Sequence, residues 1–142
     1  SGDIRRTVDI KVDAPEYEGI DVTKAVLATV SCDYLGVEFT ADRALNVYAL
    51  INDWQSFLRY EGCRLQAKRK IEITASNPGV PAKVSVVCEQ TGQEISSVII
   101  PPTDSLSEFV TVTGEAVPLD GIFTLKISCD GMLSFKSFRF TD

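Results

Sequence analysis

The sequence predicts an all-β protein, an antiparallel β-sandwich of the jelly-roll type, and three observations carry that expectation. Apolar residues recur at every second position in run after run. In 123–129, for example, Phe123, Leu125, Ile127 and Cys129 alternate with Thr124, Lys126 and Ser128. A period of two marks a strand that buries one face and wets the other. Turn-forming residues punctuate these runs about every 8–12 residues, which gives roughly nine to eleven short strands. No long stretch carries a convincing helical period.

Taken in order, residues 1–6 read as a linker or cloning remnant and 7–142 as a single sandwich domain. Thr7 to Val12 sets Val8, Ile10 and Val12 against Asp9 and Lys11, a strand that ends before Pro15 because proline gives up an amide donor. Ile20 with Val22, then Ala25 to Val30, then Gly36 to Phe39 read as short strands, with one or two turns of helix at Thr23 to Val30 as the alternative. Leu45 to Ile51 is a buried strand closed by Asn52-Asp53. The basic run Lys68-Arg69-Lys70 is a solvated turn before a strand. Asn77 to Pro81 is a turn-rich loop. Lys83 to Gln90 turns Val84, Val86 and Cys88 inward and returns through Thr91-Gly92 as the strand Glu94 to Ile100.

The strand 123–129 ends at Asp130-Gly131, a turn pair in which glycine supplies a positive φ at no steric cost. The last apolar set is Phe135, Phe138 and Phe140, so the alternation slips once. A β-bulge at Lys136-Ser137 absorbs the extra residue and keeps all three rings on the core side.

Composition removes several function classes. At 142 residues, 44% apolar and 24% charged, the chain is an ordinary globular domain rather than a disordered one. A net charge of −6 from 14 basic and 20 acidic residues argues against nucleic acid as a partner. No run approaches the ~20 apolar residues of a membrane helix, so membrane insertion is not expected. The chain has no histidine, which rules out Ser-His-Asp, Cys-His and His-metal mechanisms. A carboxylate glycosidase needs two convergent carboxyls about 5–10 Å apart in a deep cleft, and no acidic pair advertises that arrangement; the protein is not expected to be an enzyme. Cys32, Cys63, Cys88 and Cys129 lack the spacing of a zinc site and are either buried thiols or disulfide partners.

The closing Gly121 strand, its Asp130-Gly131 turn and Phe138-Arg139-Phe140 resemble the end of carbohydrate-binding modules of families 6 and 35, galactose-binding-like sandwiches appended to polysaccharide-degrading enzymes. Ser56-Phe57-Leu58-Arg59-Tyr60 resembles the families' Asp-Trp-x-x-Tyr segment, with Phe57 at the tryptophan, and Ile71 to Ser76 resembles their strand ending in Ala-Ser. Leu106 and Phe109 stand in the tryptophan loop, and Ser134 stands where the families carry a sugar-binding asparagine. Roughly 120 of the 142 residues follow the pattern.

The resemblance implies a secreted, extracellular or cell-surface module that binds polysaccharide or oligosaccharide beside a catalytic domain in cis. It implies a glycan cleft either at the loops of the sandwich edge or on a sheet face. Candidate ligand residues are Trp54, Asp53, Asn77, Leu106 and Ser134, with Tyr17, Tyr34 and Tyr48 as further rings. Trp54 is either a platform at a strand end or a core residue, and Asp53 and Asn77 either bind hydroxyls or cap turns. Lys11 and Asp13 occupy the place of two calcium-binding glutamates. Asp13, Glu16 and Asp142 are thus either oxygen ligands of a structural calcium or solvated carboxylates. Leu106 and Ser134 also motivate a second possibility, an interaction domain whose sugar cleft has been lost.

Overall fold

The computed structural model describes residues 19–31, 33–41, 47–51, 56–105 and 108–142. The strand expected at Thr7–Val12 lies outside them. Twelve strands are present among the described residues: β1 (Ile20–Asp21), β2 (Val26–Leu27), β3 (Asp33–Leu35), β4 (Val37–Ala41), β5 (Val47–Ile51), β6 (Phe57–Gln66), β7 (Lys70–Ser76), β8 (Ala82–Cys88), β9 (Gln93–Ile100), β10 (Val110–Glu115), β11 (Asp120–Cys129) and β12 (Leu133–Thr141). The ambiguous stretch before β3 resolves into both alternatives in miniature, β2 followed by a 3-10 turn at Ala28–Val30.

Two sheets form the sandwich. The first runs β1-β6-β11-β8-β9, with β3 also on β6; the second runs β10-β7-β12-β5-β4, with β2 also on β12. All pairs are antiparallel except β1 with β6. The two closing strands therefore do not form a hairpin. β11 lies in the first sheet and β12 in the second, and Asp130–Met132 carries the chain between layers. Gly131 has no positive φ there. The turn is instead held by Asp130, whose N–H donates to Lys83 O and whose Oδ1 accepts from Lys83 N.

Between the sheets lie the alternate residues that the period of two assigned inward. They include Leu58, Tyr60, Ile71, Ile73, Val84, Val86, Leu125, Ile127, Phe135 and Phe138, all essentially dry. The expected bulge in β12 is present: Phe135 pairs with Ala75 and Ser137 with Thr74, so Lys136 is the extra residue. The three phenylalanines stay inside because of it. Phe138 touches Tyr60 of the opposite sheet edge-on at 5.1 Å, with Phe135 and Phe140 at 6.3 and 6.1 Å. Aromatic pairs at such distances contribute ~0.5–1.5 kcal/mol beyond their buried area, so this cluster locks layer to layer. A second bulge, at Glu61-Gly62 in β6, puts Gly62 at φ 74° and restores the alternation for Cys63 and Leu65.

Cys63, Cys88 and Cys129 are buried, and burial pushes the Cys129 thiol up. One side of the sandwich is sewn shut: Ser96 bridges Ala116, and Val117 N donates to Ile95 O. On the other side β3 and β4 are the lateral strands of their sheets, and the chain passes between them through Gly36.

Candidate functional site

Two surfaces compete for function. The first is one end of the sandwich. The registers place the end of β3, the end of β5, the end of β7, the end of β9 and the end of β11 together, so five connections leave the sheets there. Ser134 and Asn77 both belong to this end, because Ser134 pairs with Ser76. Asp53, Trp54 and Leu106 lie outside the described residues, as do Tyr17 and the Tyr48 side chain.

Asn77 is not placed as a surface amide. It is buried, and its Nδ2 donates to Val80 O at 2.6 Å and Ile100 O at 3.1 Å while Oδ1 accepts from Gly79 N. One amide hydrogen thus braces its own loop and the other ties that loop to the end of β9, while Oδ1 closes an Asx turn on Gly79. Ser134 is likewise sealed within the sheet, its Oγ fully buried and without a hydrogen-bond partner among the described residues. What this end offers is a hollow of about 530 Å³ walled by Asn77, Gly79, Val80, Pro81, Asp130 and Met132. Its described walls carry no aromatic ring, and its rim is apolar, with Val80 77% and Met132 57% exposed.

Asp142, the described member of the expected calcium set, is at the opposite end, where its Oδ2 meets Lys68 Nζ at 3.0 Å. Asp13 and Glu16 lie outside the described residues. Among the described residues no three carboxylate or thiol groups gather as a metal site would require. A single carboxylate held by an ammonium group does not fit a calcium ion.

The second surface is the outer face of the first sheet. Residues directly opposite one another on neighbouring strands share a face. The pairings Phe57–Ser128, Ser128–Ser85 and Ser85–Ser97 therefore draw one line of side chains across β6, β11, β8 and β9. Neighbouring strands lie ~4.8 Å apart, so the line presents a ring and then three hydroxyls at nearly regular intervals. A parallel line beside it is Arg59, Lys126, Val87 and Glu94.

The charged groups of this face are fixed rather than loose. Lys126 Nζ sits 4.4 Å from the centre of the Phe57 ring, within cation–π range. Arg59 donates through Nε to Glu89 at 2.9 Å and through a terminal nitrogen to Glu61 at 2.5 Å. Those two carboxylates, Glu89 foremost, raise the guanidinium pKa further above its ordinary value. The arrangement can hold an extended polar ligand against one half-buried ring, with hydroxyls and oriented charges to fix it. Part of it was visible in the chain: Phe57 stands where the resembling families carry a tryptophan, but in a strand read as leading into the core. The serines gave no notice, because their alignment exists only across strands far apart in the chain.

No protein-family model and no curated protein matches the sequence. Solved structures do match in shape. A family 6 carbohydrate-binding module from Clostridium cellulolyticum in complex with xylose superposes with a TM-score of 0.80 at 8% identity, covering 87% of this chain and 100% of that one. A module from Clostridium stercorarium in complex with cellobiose gives 0.79 at 9% identity, covering 86% and 95%. A β-1,3-glucan-binding module from Bacillus halodurans gives 0.77 at 19% identity, covering 86% and 98%. The chain has the β-sandwich fold of the family 6 carbohydrate-binding modules. At these identities the likeness concerns the fold.

Proposed function

We propose that the chain is a non-catalytic carbohydrate-binding module that docks a polysaccharide or oligosaccharide on the outer face of its first sheet. The observation that carries this is the line Phe57–Ser128–Ser85–Ser97, set on a fold whose neighbours are described with cellobiose, xylose and β-1,3-glucan as ligands. Sugars present flat C–H faces and a fringe of hydroxyls, which suit one ring flanked by hydroxyls and fixed charges. A catalytic domain in cis fits the match to a glycoside hydrolase family 43 arabinoxylan arabinofuranohydrolase from Bacillus subtilis, in which the matching part is 28% of that chain. An extracellular setting follows from such a role. A neighbour of family 36 is described with calcium and xylotriose, at a TM-score of 0.60, and a structural calcium here would have to draw on Asp13 and Glu16. Thermal melts in EDTA and in calcium chloride test it: coincident curves sink it.

Affinity electrophoresis against a broad panel of soluble glycans tests the main proposal, with retardation expected on at least one. Unchanged mobility across the panel overturns it.

The apolar hollow at Val80 and Met132 favours a second function class, an interaction domain whose loop-end cleft has lost its sugar chemistry. It predicts that glycan binding is absent and that Met132→Lys disrupts association with the neighbouring domain.

A further inference from the structure

We propose that the hollow at the loop end takes a basic side chain from a partner protein. The methylene stem of a lysine or arginine lies between Val80, Pro81 and Met132, with its charged head at Asp130. This rests on the interaction reading of that surface and names the partner's chemistry; it stands whether or not the sheet face binds glycan.

The polar groups of the hollow are sorted by what they have left to offer. Asn77 is the one described wall whose side chain carries N–H donors, and both go to backbone carbonyls, Val80 O and Ile100 O. Pro81 has no N–H, and the Gly79 N–H is taken by Asn77 Oδ1. Asp130 is an exposed carboxylate, and its bond from Lys83 N uses Oδ1 alone. A carboxylate has about four lone-pair sites, so most of its accepting capacity remains. The described walls therefore combine apolar surface with side-chain acceptors and no free side-chain donor. That is the complement of a lysine or arginine, an apolar stem ending in a head that only donates. An anion finds no side chain there to hold it.

The charge around the hollow has the matching sign. Thr103 is tied to Asn77 by two bonds, Thr103 N to Asn77 O and Asn77 N to Thr103 Oγ1. This sets the exposed Asp104 and Glu108 at the same end, where Asp104 N donates to Glu108 Oε1 at 3.1 Å. The nearby described cations are turned away or engaged. Lys83 alternates with buried Ala82 and Val84, so it stands on the outer face of the first sheet. Lys136 sits over the Phe109 ring. With a net charge of −6 on the chain, a cationic partner is favoured on approach as well as on contact. The volume of about 530 Å³ is that of a formed ligand site, with room for the side chain and the extended backbone that bears it.

The test is an amide NMR titration of the whole chain with four peptides, acetyl-Gly-Pro-X-Pro-Gly-amide, in which X is arginine, lysine, norleucine or glutamate. The arginine and lysine peptides are expected to shift Gly79, Val80, Asp130, Gly131 and Met132 saturably. Norleucine should bind about fivefold more weakly, and glutamate should be silent. Asp130→Asn keeps an oxygen for Lys83 N and loses the charge, so it should bring the arginine peptide down to the norleucine level. High salt should do the same to the parent protein, a second readout if the variant fails to fold. Norleucine or glutamate binding as tightly as arginine overturns the basic-side-chain site and leaves an apolar interaction surface standing. Silence at the hollow from all four peptides, or arginine shifts confined to other acidic surface, also overturns the site; Met132→Lys then decides the interaction reading separately.

Discussion

The loop end and the outer face of the first sheet are built from the same twelve strands and differ in what they leave available. At the loop end the polar groups turn inward: Asn77 braces its loop, Asp130 holds Lys83, and Ser134 is sealed in the second sheet. Apolar Val80 and Met132 are left facing water. On the sheet face the apolar groups are spent on the core, and alternation pushes serines and paired charges outward. The contrast teaches that polar residues in loops are often consumed by the backbone they cap, whereas a strand presents its polar half whether or not the fold needs it.

The two surfaces share one frame, and the largest expected effect comes from breaking it. Phe138→Ala removes the ring that joins Tyr60, Phe135 and Phe140 and should destabilise the domain by ~3–5 kcal/mol. Denaturant midpoints measure it. A loss below ~1 kcal/mol would mean the layers are not locked through this cluster.

Asn77→Ala separates bracing from binding. Three bonds are lost with the amide, one buried and two part-buried, and an unsatisfied partner costs ~1–3 kcal/mol each time it cannot reach water. A fall in melting temperature with glycan affinity unchanged is expected. Lost affinity in a fully stable variant would return Asn77 to the ligand set.

A paired substitution then sharpens the comparison directly. Phe57→Ala on the half-buried sheet face should weaken oligosaccharide binding by about tenfold, the effect of removing ~1.4 kcal/mol, with little loss of stability. Met132→Ser at the loop end should leave binding within about twofold of the parent. Isothermal titration of both variants with one glycan decides between the surfaces, since the reverse ranking moves the site to the loops.

How much of this was legible follows from the range of each signal. Inward residues of β8, β11 and β12 were readable because a period of two is local, and even the bulge at Lys136 showed as a single slip in spacing. The second half of β6 was missed because the Glu61-Gly62 bulge breaks its alternation just where a strand seemed to end. β3 was missed because only three residues, all exposed, form it. The partition of β11 and β12 into different sheets was hidden by a turn that resembles a hairpin's. The row of serines could not be read at all, since register between distant strands is set by the assembled sheet.

The smallest effect concerns the floor beneath the sheet face. Tyr60 points inward from β6, and its hydroxyl donates weakly to Leu27 O and Ala28 O, each at 3.4 Å. Burial raises its pKa well above the ordinary value for a phenol. The folded state therefore keeps the proton where the unfolded chain, with a pKa of about 10, releases it. The linked stability is fully present below about pH 10 and falls as the pH rises beyond it. Tyr60→Phe should cost about 1 kcal/mol or less at neutral pH, because the bonds are long, and should move alkaline unfolding to higher pH. Melting curves between pH 8 and 11.5 check this, and identical alkaline limbs for parent and variant would show that Tyr60 reaches water. The floor would then be open to solvent, and the sheet face above it would lack the rigid base that a shallow sugar site needs.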